Sequence, residues 1–256
     1  MQKYAAVILA AGKGTRMNEG TASPIPKVMY ELSGKPIISY AVKSVQDAGI
    51  EKIVLVVGYK KETVQDYMGS KVEYAIQQEQ LGTGHAVKMA KELLEDKVDA
   101  VIVFGGDCPL FKPETIKKLI DIYEERQPTI AMLSVISDDP TGYGRILRED
   151  ESGHVTGIVE QKDCTPDQAL IKEWNPAFYI FNSKWLWENI DRLSTENAQN
   201  EYYLTDLISM AVSQGKRLYA MPVSEESEAF GINTPAQQKA AEGILKQRSA
   251  DGDIQN

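Results

Sequence analysis

The sequence predicts an α/β protein built on a mostly parallel central sheet flanked by helices. Three observations predict it. Apolar, β-rich runs alternate with amphipathic stretches through the first 137 residues. The runs are almost continuously hydrophobic, as in strands covered on both faces. Each gap between them has room for one helix, the rhythm of a parallel sheet.

Taken in order, "YAAVIL" at 4–9, "KIVLVVG" at 52–58, "KVEYAI" at 71–76, "DAVIVFGG" at 99–106 and "TIAMLSVI" at 129–136 read as strands. Helices are expected near 36–48, 61–68, 85–95 and 113–125, the last opening on Pro113 and Glu114, which suit a first helical turn. Beyond 137 the texture changes. "DDPTGYGRI" is turn-like, and "GRILRED" and "HVTGIVEQKD" read as two shorter strands around a turn at 150–153. "IKEWNPAFYIF" is a further strand, and "SKWLWENIDRL" and "EYYLTDLISMAVSQG" read as helices, the second closed by Gly215. "RLYAMPV" and "GIN" precede a helix over about 235–247. The spacing of Trp174, Trp185 and Trp187 suggests packing. The expected organisation is a single domain over 1–245, with a nucleotide-binding part at 1–137 and a smaller mixed, substrate-shaping part at 138–245 sharing one sheet, and a flexible tail at 246–256.

A chain of 256 residues can bury a sizeable core. With 28 Lys and Arg against 37 Asp and Glu, its net charge of -9 does not invite nucleic acid or an anionic membrane. The two cysteines, Cys108 and Cys164, form no metal-ligand spacing, and the two histidines, His85 and His154, are too few for a histidine metal cluster. The N-terminus lacks the pattern of a signal peptide and no stretch approaches a membrane span, so a cytoplasmic location is expected.

"AAVILAAGKGTRM", residues 5–17, runs from a strand ending near Leu9 into a small-residue turn. Met17 stands where a dinucleotide fingerprint or a P-loop needs glycine, so neither applies. Their shared physics survives: backbone amides free to approach an anion, with Lys13, Arg16 and the Thr15 hydroxyl beside them. In "SPIPKVM" two prolines stiffen the approach to Lys27, a second positive arm over the same pocket. "DAVIVFGGDCPLF" ends a strand in Gly105, Gly106 and Asp107, where a carboxylate is placed to hold Mg²⁺, an ion that takes few protein ligands. Asn233, in "FGINTP", offers a neutral oxygen to the same ion. In "AIQQEQLGTGHAVKMA" the Gln77 amide can match the N–H and C=O of a pyrimidine, Gly82 permits close approach, Thr83 can cap the following helix, and His85 suits a capping or packing role.

"LAAGKGTRM", "PKVM", "QQEQLGTGHA", "GDCPL", "DPTGYGRI", "GIVEQKD", "NEYYLTD" and "GIN", in this order, resemble the sugar-phosphate nucleotidyltransferases. Within them the chain is similar to the uridylyltransferase domain of the bacterial enzyme that makes UDP-N-acetylglucosamine, a cell-wall precursor. The likeness spans about residues 4–245. It implies a Rossmann-like, nucleotide-diphospho-sugar transferase type of fold, Mg²⁺ as cofactor, and UTP and N-acetylglucosamine 1-phosphate as substrates. By the same resemblance Leu9, Ala11 and Gly12 lie at the base and ribose, and Gly14, Thr15 and Arg16 at the phosphates. Lys27 contacts the reacting phosphates; Gln77, Gly82 and Thr83 hold the uracil; Asp107 and Asn233 ligate the metal. Gly144, Glu160 and Asn175, with Asn233, face the amino-sugar. Arg16, Lys27 and Asp107 form the expected catalytic set.

Departures from the family pattern bear on the sugar. Gly105 replaces a tyrosine, and Glu173-Trp174-Asn175-Pro176-Ala177 replaces Glu-x-Asn-Thr-Gly. A few extra residues lie in "NEGTASPIP". These leave open another sugar 1-phosphate, such as a glucose or galactosamine type, or another nucleotide such as TTP. A non-catalytic sugar-nucleotide binding module is the alternative of another class. Bifunctional members continue into an acetyl-transferring β-helix; this sequence stops at Asn256, so that activity is not expected, and the oligomeric state is open.

Overall fold

The computed structural model describes residues 2–149, 154–197 and 199–250. Strand β1 (Gln2–Ala10) is followed by a long turn and a two-stranded ribbon, β2 (Glu31–Leu32) and β3 (Lys35–Pro36). Then come α1 (Ile37–Asp47), β4 (Lys52–Val57), α2 (Lys61–Met68), β5 (Glu73–Ile76), α3 (Thr83–Lys88), α4 (Lys91–Leu94), β6 (Val98–Gly105), α5 (Pro113–Arg126) and β7 (Ile130–Ile136). The second part adds β8 (Arg145–Arg148), β9 (Val155–Val159), α6 (Pro166–Ala169), β10 (Glu173–Trp174), β11 (Tyr179–Asn182), α7 (Ser183–Asn189), α8 (Asp206–Ser213), β12 (Leu218–Pro222) and α9 (Pro235–Ala250).

The main sheet has the order β5-β4-β1-β6-β11-β7-β10-β8-β9, with β12 also paired to β7. The first four strands are parallel. Their continuous hydrophobicity has a simple cause. Ala6, Ile8 and Ala10 of β1 face one apolar cluster while Ala5 and Val7 face another, so helices cover both sides. In β6, Ile102 and Phe104 divide from Val101 and Val103 in the same way.

Several expectations change in detail. β7 does not lie beside β6: β11 enters between them, antiparallel to both. The helix expected at 85–95 is two short pieces, α3 and α4. "IKEWNPAFYIF" is broken at 175–178 into β10 and β11, which follow β7 in succession. The break sends β10 out to β8 and so joins the second lobe to the main sheet. Arg148 holds that junction, with Nε 2.6 Å and Nη2 2.7 Å from the two Glu173 oxygens. The helix expected from 201 begins only at Asp206, and residues 201–205 pass over the glycine loop at 81–84. Residues 246–250, expected in a tail, complete α9, because Leu245 is buried and Arg248 Nη1 donates to Leu110 O at 2.7 Å. The predicted turn at 150–153 and residues 251–256 lie outside the described residues.

All three tryptophans are buried, and Trp174 stacks on Tyr143 with ring centroids 3.9 Å apart. Among the described residues no helix is long and apolar enough to cross a membrane.

Candidate active site

The carboxyl ends of β1 and β6 open into a cleft of about 910 Å³, walled on its far side by the second lobe. This is where open α/β sheets bind ligands. Of the residues singled out from the sequence, Leu9, Ala11, Gly12, Lys27, Gln77, Gly82, Thr83, Asp107, Gly144, Glu160, Asn175 and Asn233 all line it. Gly14 does not, but it shapes the wall: at φ +63° a Cβ there would come 2.6 Å from Lys27 Cβ. Thr15 and Arg16 are exposed and stand outside the cleft wall.

The turn after β1 is not the start of a helix; the first α-helix begins at Ile37. Met17 explains the departure from a glycine fingerprint, because it is buried with Leu32, Ile37, Leu110 and Ile232 and anchors the turn. Asn18 fastens the rest, its Nδ2 donating to Lys13 O and Ile25 O, both at 2.9 Å, and its Oδ1 accepting from Ile25 N at 3.0 Å. This side chain was not foreseen, although an asparagine ahead of Gly20 is ordinary turn chemistry.

At the cleft's throat Lys27 forms an ion pair with Asp107, and its Nζ donates to Asn233 Oδ1 at 2.8 Å. Three residues from distant parts of the chain meet here. Asp107 arrives from the end of β6, where Gly106 N donates to Leu9 O at 2.9 Å and keeps the strand end tight against β1. Asn233 arrives from the segment before α9, held by Ile232 N donating to Asp107 O at 2.9 Å and Asn233 N to Gln237 Oε1 at 2.8 Å. Beside them the Cys108 thiol is pushed well up by burial and by the Asp107 charge, and so is neutral.

The donor chemistry fits a hard divalent cation. A carboxylate and an amide oxygen already converge on one positive charge, the Lys27 ammonium. Among the described residues no group of three or more His, Cys, Asp or Glu surrounds a metal position.

On the first lobe Gln77 is buried in the cleft wall at 3% exposure. Gly82, at φ +110°, leaves room for Tyr202, whose carbonyl would lie 2.5 Å from a Cβ at 82. Tyr202 N donates to Leu81 O and Gly84 N to Tyr202 O, both at 2.8 Å. Thr83 does not cap α3. Its Oγ1 accepts from Leu204 N at 3.0 Å and ties the helix to the crossing segment.

On the second lobe Gly144 must be small, since a Cβ would sit 2.9 Å from Ile158 Cγ2 and 3.5 Å from the Glu160 oxygens. Burial, with Asp163 nearby, raises the Glu160 carboxyl above the usual range. Asn175 is buried and heavily engaged: Nδ2 donates to Tyr179 OH at 2.6 Å and Oδ1 accepts from Ala177 N at 3.0 Å. Ala177 is left-handed at φ +59°. Tyr143 and Tyr179 also line the cleft. Tyr179 was read as an ordinary member of an apolar strand, and nothing in its neighbours marks it.

A mixed sheet whose parallel strands open onto a glycine turn and the Lys27–Asp107–Asn233 cluster has the form of a nucleotide-handling α/β fold. The model of the nucleotidyl transferase family matches residues 5–227, and the chain belongs to that family. It is 42% identical over 248 residues to the "Bifunctional protein GlmU" of Acetivibrio thermocellus, covering 97% of this chain and 53% of that one. To the protein of the same name from Bacillus licheniformis it is 40% identical over 256 residues, covering 100% of this chain and 55% of that one. The chain thus spans about half the length of the curated relatives it matches. A solved structure of UDP-glucose pyrophosphorylase complexed with UDP-glucose shares the fold, with a TM-score of 0.78 at 21% identity over 97% of this chain and 100% of that chain. The chain is therefore a nucleotidyltransferase enzyme by family.

Proposed function

We propose that the cleft condenses UTP with N-acetylglucosamine 1-phosphate to give UDP-N-acetylglucosamine and pyrophosphate. The observation that carries this is the meeting of Lys27, Asp107 and Asn233 at the junction of two half-sites, one walled by Gln77 and Gly82 and the other by Glu160 and Asn175. A nucleotide in the first half and a sugar in the second would bring their phosphates to that point. The 40–42% identity to bacterial proteins named GlmU supports the choice of substrates.

The nucleophile is a sugar-phosphate oxygen that is already anionic. It forms a bond to the α-phosphorus in line, while the bond from that phosphorus to the oxygen bridging to the β-phosphate breaks and pyrophosphate leaves. No strong base is needed. The obstacle is repulsion between polyanions, and Lys27 answers it as a fixed cation, while Arg16 stands exposed outside the cleft wall and would join only if a bound triphosphate drew it in. Asp107 and Asn233 would hold Mg²⁺, which when bound neutralises charge on the reacting phosphates. The Gly12 turn presents backbone amides to the triphosphate, and the two lobes hold the reactants in register. Glu160 and Asn175 accept or donate hydrogen bonds to sugar hydroxyl or acetamido groups.

One observation favours a second reading of the sugar. The Asn175 amide is partly spent on Tyr179 and Ala177, and position 105 carries no side chain, so a sugar other than N-acetylglucosamine is the rival. Incubating the protein with a panel of nucleoside triphosphates and sugar 1-phosphates, and reading product mass, tests both. UDP-N-acetylglucosamine as the dominant product is expected; dominance of another sugar nucleotide replaces the substrate assignment.

A further inference from the structure

We infer that His85 is a positioning residue for nucleotide selection: with the Gly82 carbonyl it locks the Gln77 amide so that only its oxygen is offered to the base, which favours uracil or thymine over cytosine. The inference rests on the reading of the Gln77 side of the cleft as the base end.

The argument is one of hydrogen-bond accounting. Gln77 Nε2 lies 3.1 Å from Gly82 O and 3.1 Å from His85 Nδ1. A backbone carbonyl oxygen can only accept, so the atom facing Gly82 O is the NH₂ group and the amide orientation is settled by chemistry. That group has two hydrogens. One goes to Gly82 O, and the other points to His85 Nδ1, which therefore accepts and leaves the imidazole proton on Nε2. Both donors are spent inside the protein. What remains for a ligand is Oε1, an acceptor.

The frame around this pair is rigid. Gln77 N donates to Val57 O at 2.8 Å directly after β5, and the side chain is almost wholly buried. His85 sits in the first turn of α3 with its ring 6.1 Å from that of Tyr202, whose backbone is bonded on both sides to the glycine loop. A base reaching Gln77 meets a fixed acceptor. Uracil and thymine offer a ring N3–H there, whereas cytosine presents an acceptor at the same ring position. An acceptor facing an acceptor in a desolvated wall is penalised, and the discrimination expected is about tenfold or more.

The test is equilibrium binding of UTP and CTP, measured calorimetrically with the full chain in the presence of Mg²⁺, for wild type, His85→Phe and His85→Asn. His85→Phe keeps a ring beside Tyr202 but removes the acceptor; His85→Asn restores one near the Nδ1 position. The wild type is expected to prefer UTP by at least about tenfold. His85→Phe leaves one Nε2 hydrogen unpaired and the amide held by Gly82 O alone, so the preference should fall measurably without a change in sugar 1-phosphate KM, and His85→Asn should recover it. Should His85→Phe fail to fold, His85→Ala carries the same comparison. Equal weakening of UTP and CTP, or an unchanged ratio, overturns the inference, as does a wild type that binds both alike or neither. A wild type that prefers UTP in binding, with the preference dependent on His85, but turns over no sugar 1-phosphate upholds the inference and contradicts the proposed reaction instead.

Discussion

Lys27 Nζ lies 2.8 Å from Asn233 Oδ1 while paired with Asp107, so one ammonium occupies the point where two oxygens from distant parts of the chain converge. The side chains of Lys27 and Asp107 are only about a fifth exposed, at 18% and 21%. Bulk water therefore screens the pair weakly. A divalent ion entering this throat competes with the lysine, and a triphosphate gives the displaced ammonium a new anionic partner. Metal and nucleotide should therefore bind better together than apart.

Replacing Lys27 with Met tests that competition. The free protein should bind Mn²⁺ more tightly, by roughly tenfold, because the oxygens lose a resident cation. Turnover should fall by about two orders of magnitude as the reacting phosphates lose theirs. Electron paramagnetic resonance of Mn²⁺ without nucleotide reads the first effect independently of activity. Weaker metal binding in the variant would contradict the competition.

Asp107→Ala removes the only carboxylate at the throat among the described cleft partners of Lys27. Turnover should drop by roughly two or more orders of magnitude, the scale of a lost electrostatic contact of about 3 kcal/mol. The melting temperature should hold within a few degrees. Near-wild-type turnover in excess Mg²⁺ would remove Asp107 from the metal role.

Glu160 gives a pH signature. Its carboxyl is raised by burial and by the neighbouring Asp163 and Asp206, with a Thr205 hydrogen bond acting the other way. The charged form is the better acceptor for sugar hydroxyls. Because the group protonates at higher pH than an ordinary glutamate, KM for the sugar 1-phosphate should begin to rise on mild acidification, while KM for UTP stays level. Glu160→Gln should abolish that rise, and Glu160→Ala should raise sugar-phosphate KM more than UTP KM. Parallel changes in both constants would count against the assignment.

Backbone strain gives opposite predictions at two positions. Ala177 sits at φ +59°, a conformation that costs an L-residue about 1–2 kcal/mol. Ala177→Gly should relieve it, partly offset by about 0.4–1 kcal/mol of extra unfolded-chain entropy. The net gain should raise the melting temperature by a few degrees. At Gly82, φ is +110° and the Tyr202 carbonyl closes on the Cβ position, so Gly82→Ala should cost roughly 2 kcal/mol or more and raise nucleotide KM. A thermal melt of each variant checks both signs.

The glycine turn, Lys27, Asp107, Gln77 and Asn233 were singled out as candidates from residue type and position in the sequence, and the structure places Lys27, Asp107, Gln77 and Asn233 along one cleft. Their convergence was expected from their chemistry, but not the direct Lys27–Asn233 bond, which spans 206 positions and which the sheet order brings about. That order was itself half-hidden: β11 looks like any apolar strand, and its insertion between β6 and β7 depends on tertiary pairing. Residues 201–205 carry an apolar "YYL" run that continues a helical pattern, yet the Tyr202 backbone is taken by Leu81 and Gly84 before a helix can use it. His85 was read as a capping or packing residue; its bond to Gln77 shows only once the loop at 78–84 folds back. The break at Asn175 had a local cue in Pro176, but a left-handed alanine has none.

The central claim is that two phosphates meet over Lys27, Asp107 and Asn233. Its most direct measurement is pyrophosphate release by the wild-type chain, with UTP and N-acetylglucosamine 1-phosphate supplied singly and together, with and without Mg²⁺. Release that requires both substrates and the ion, at one pyrophosphate per UDP-sugar formed, is the predicted result. No release under any combination, or release from UTP alone at the same rate, would contradict it.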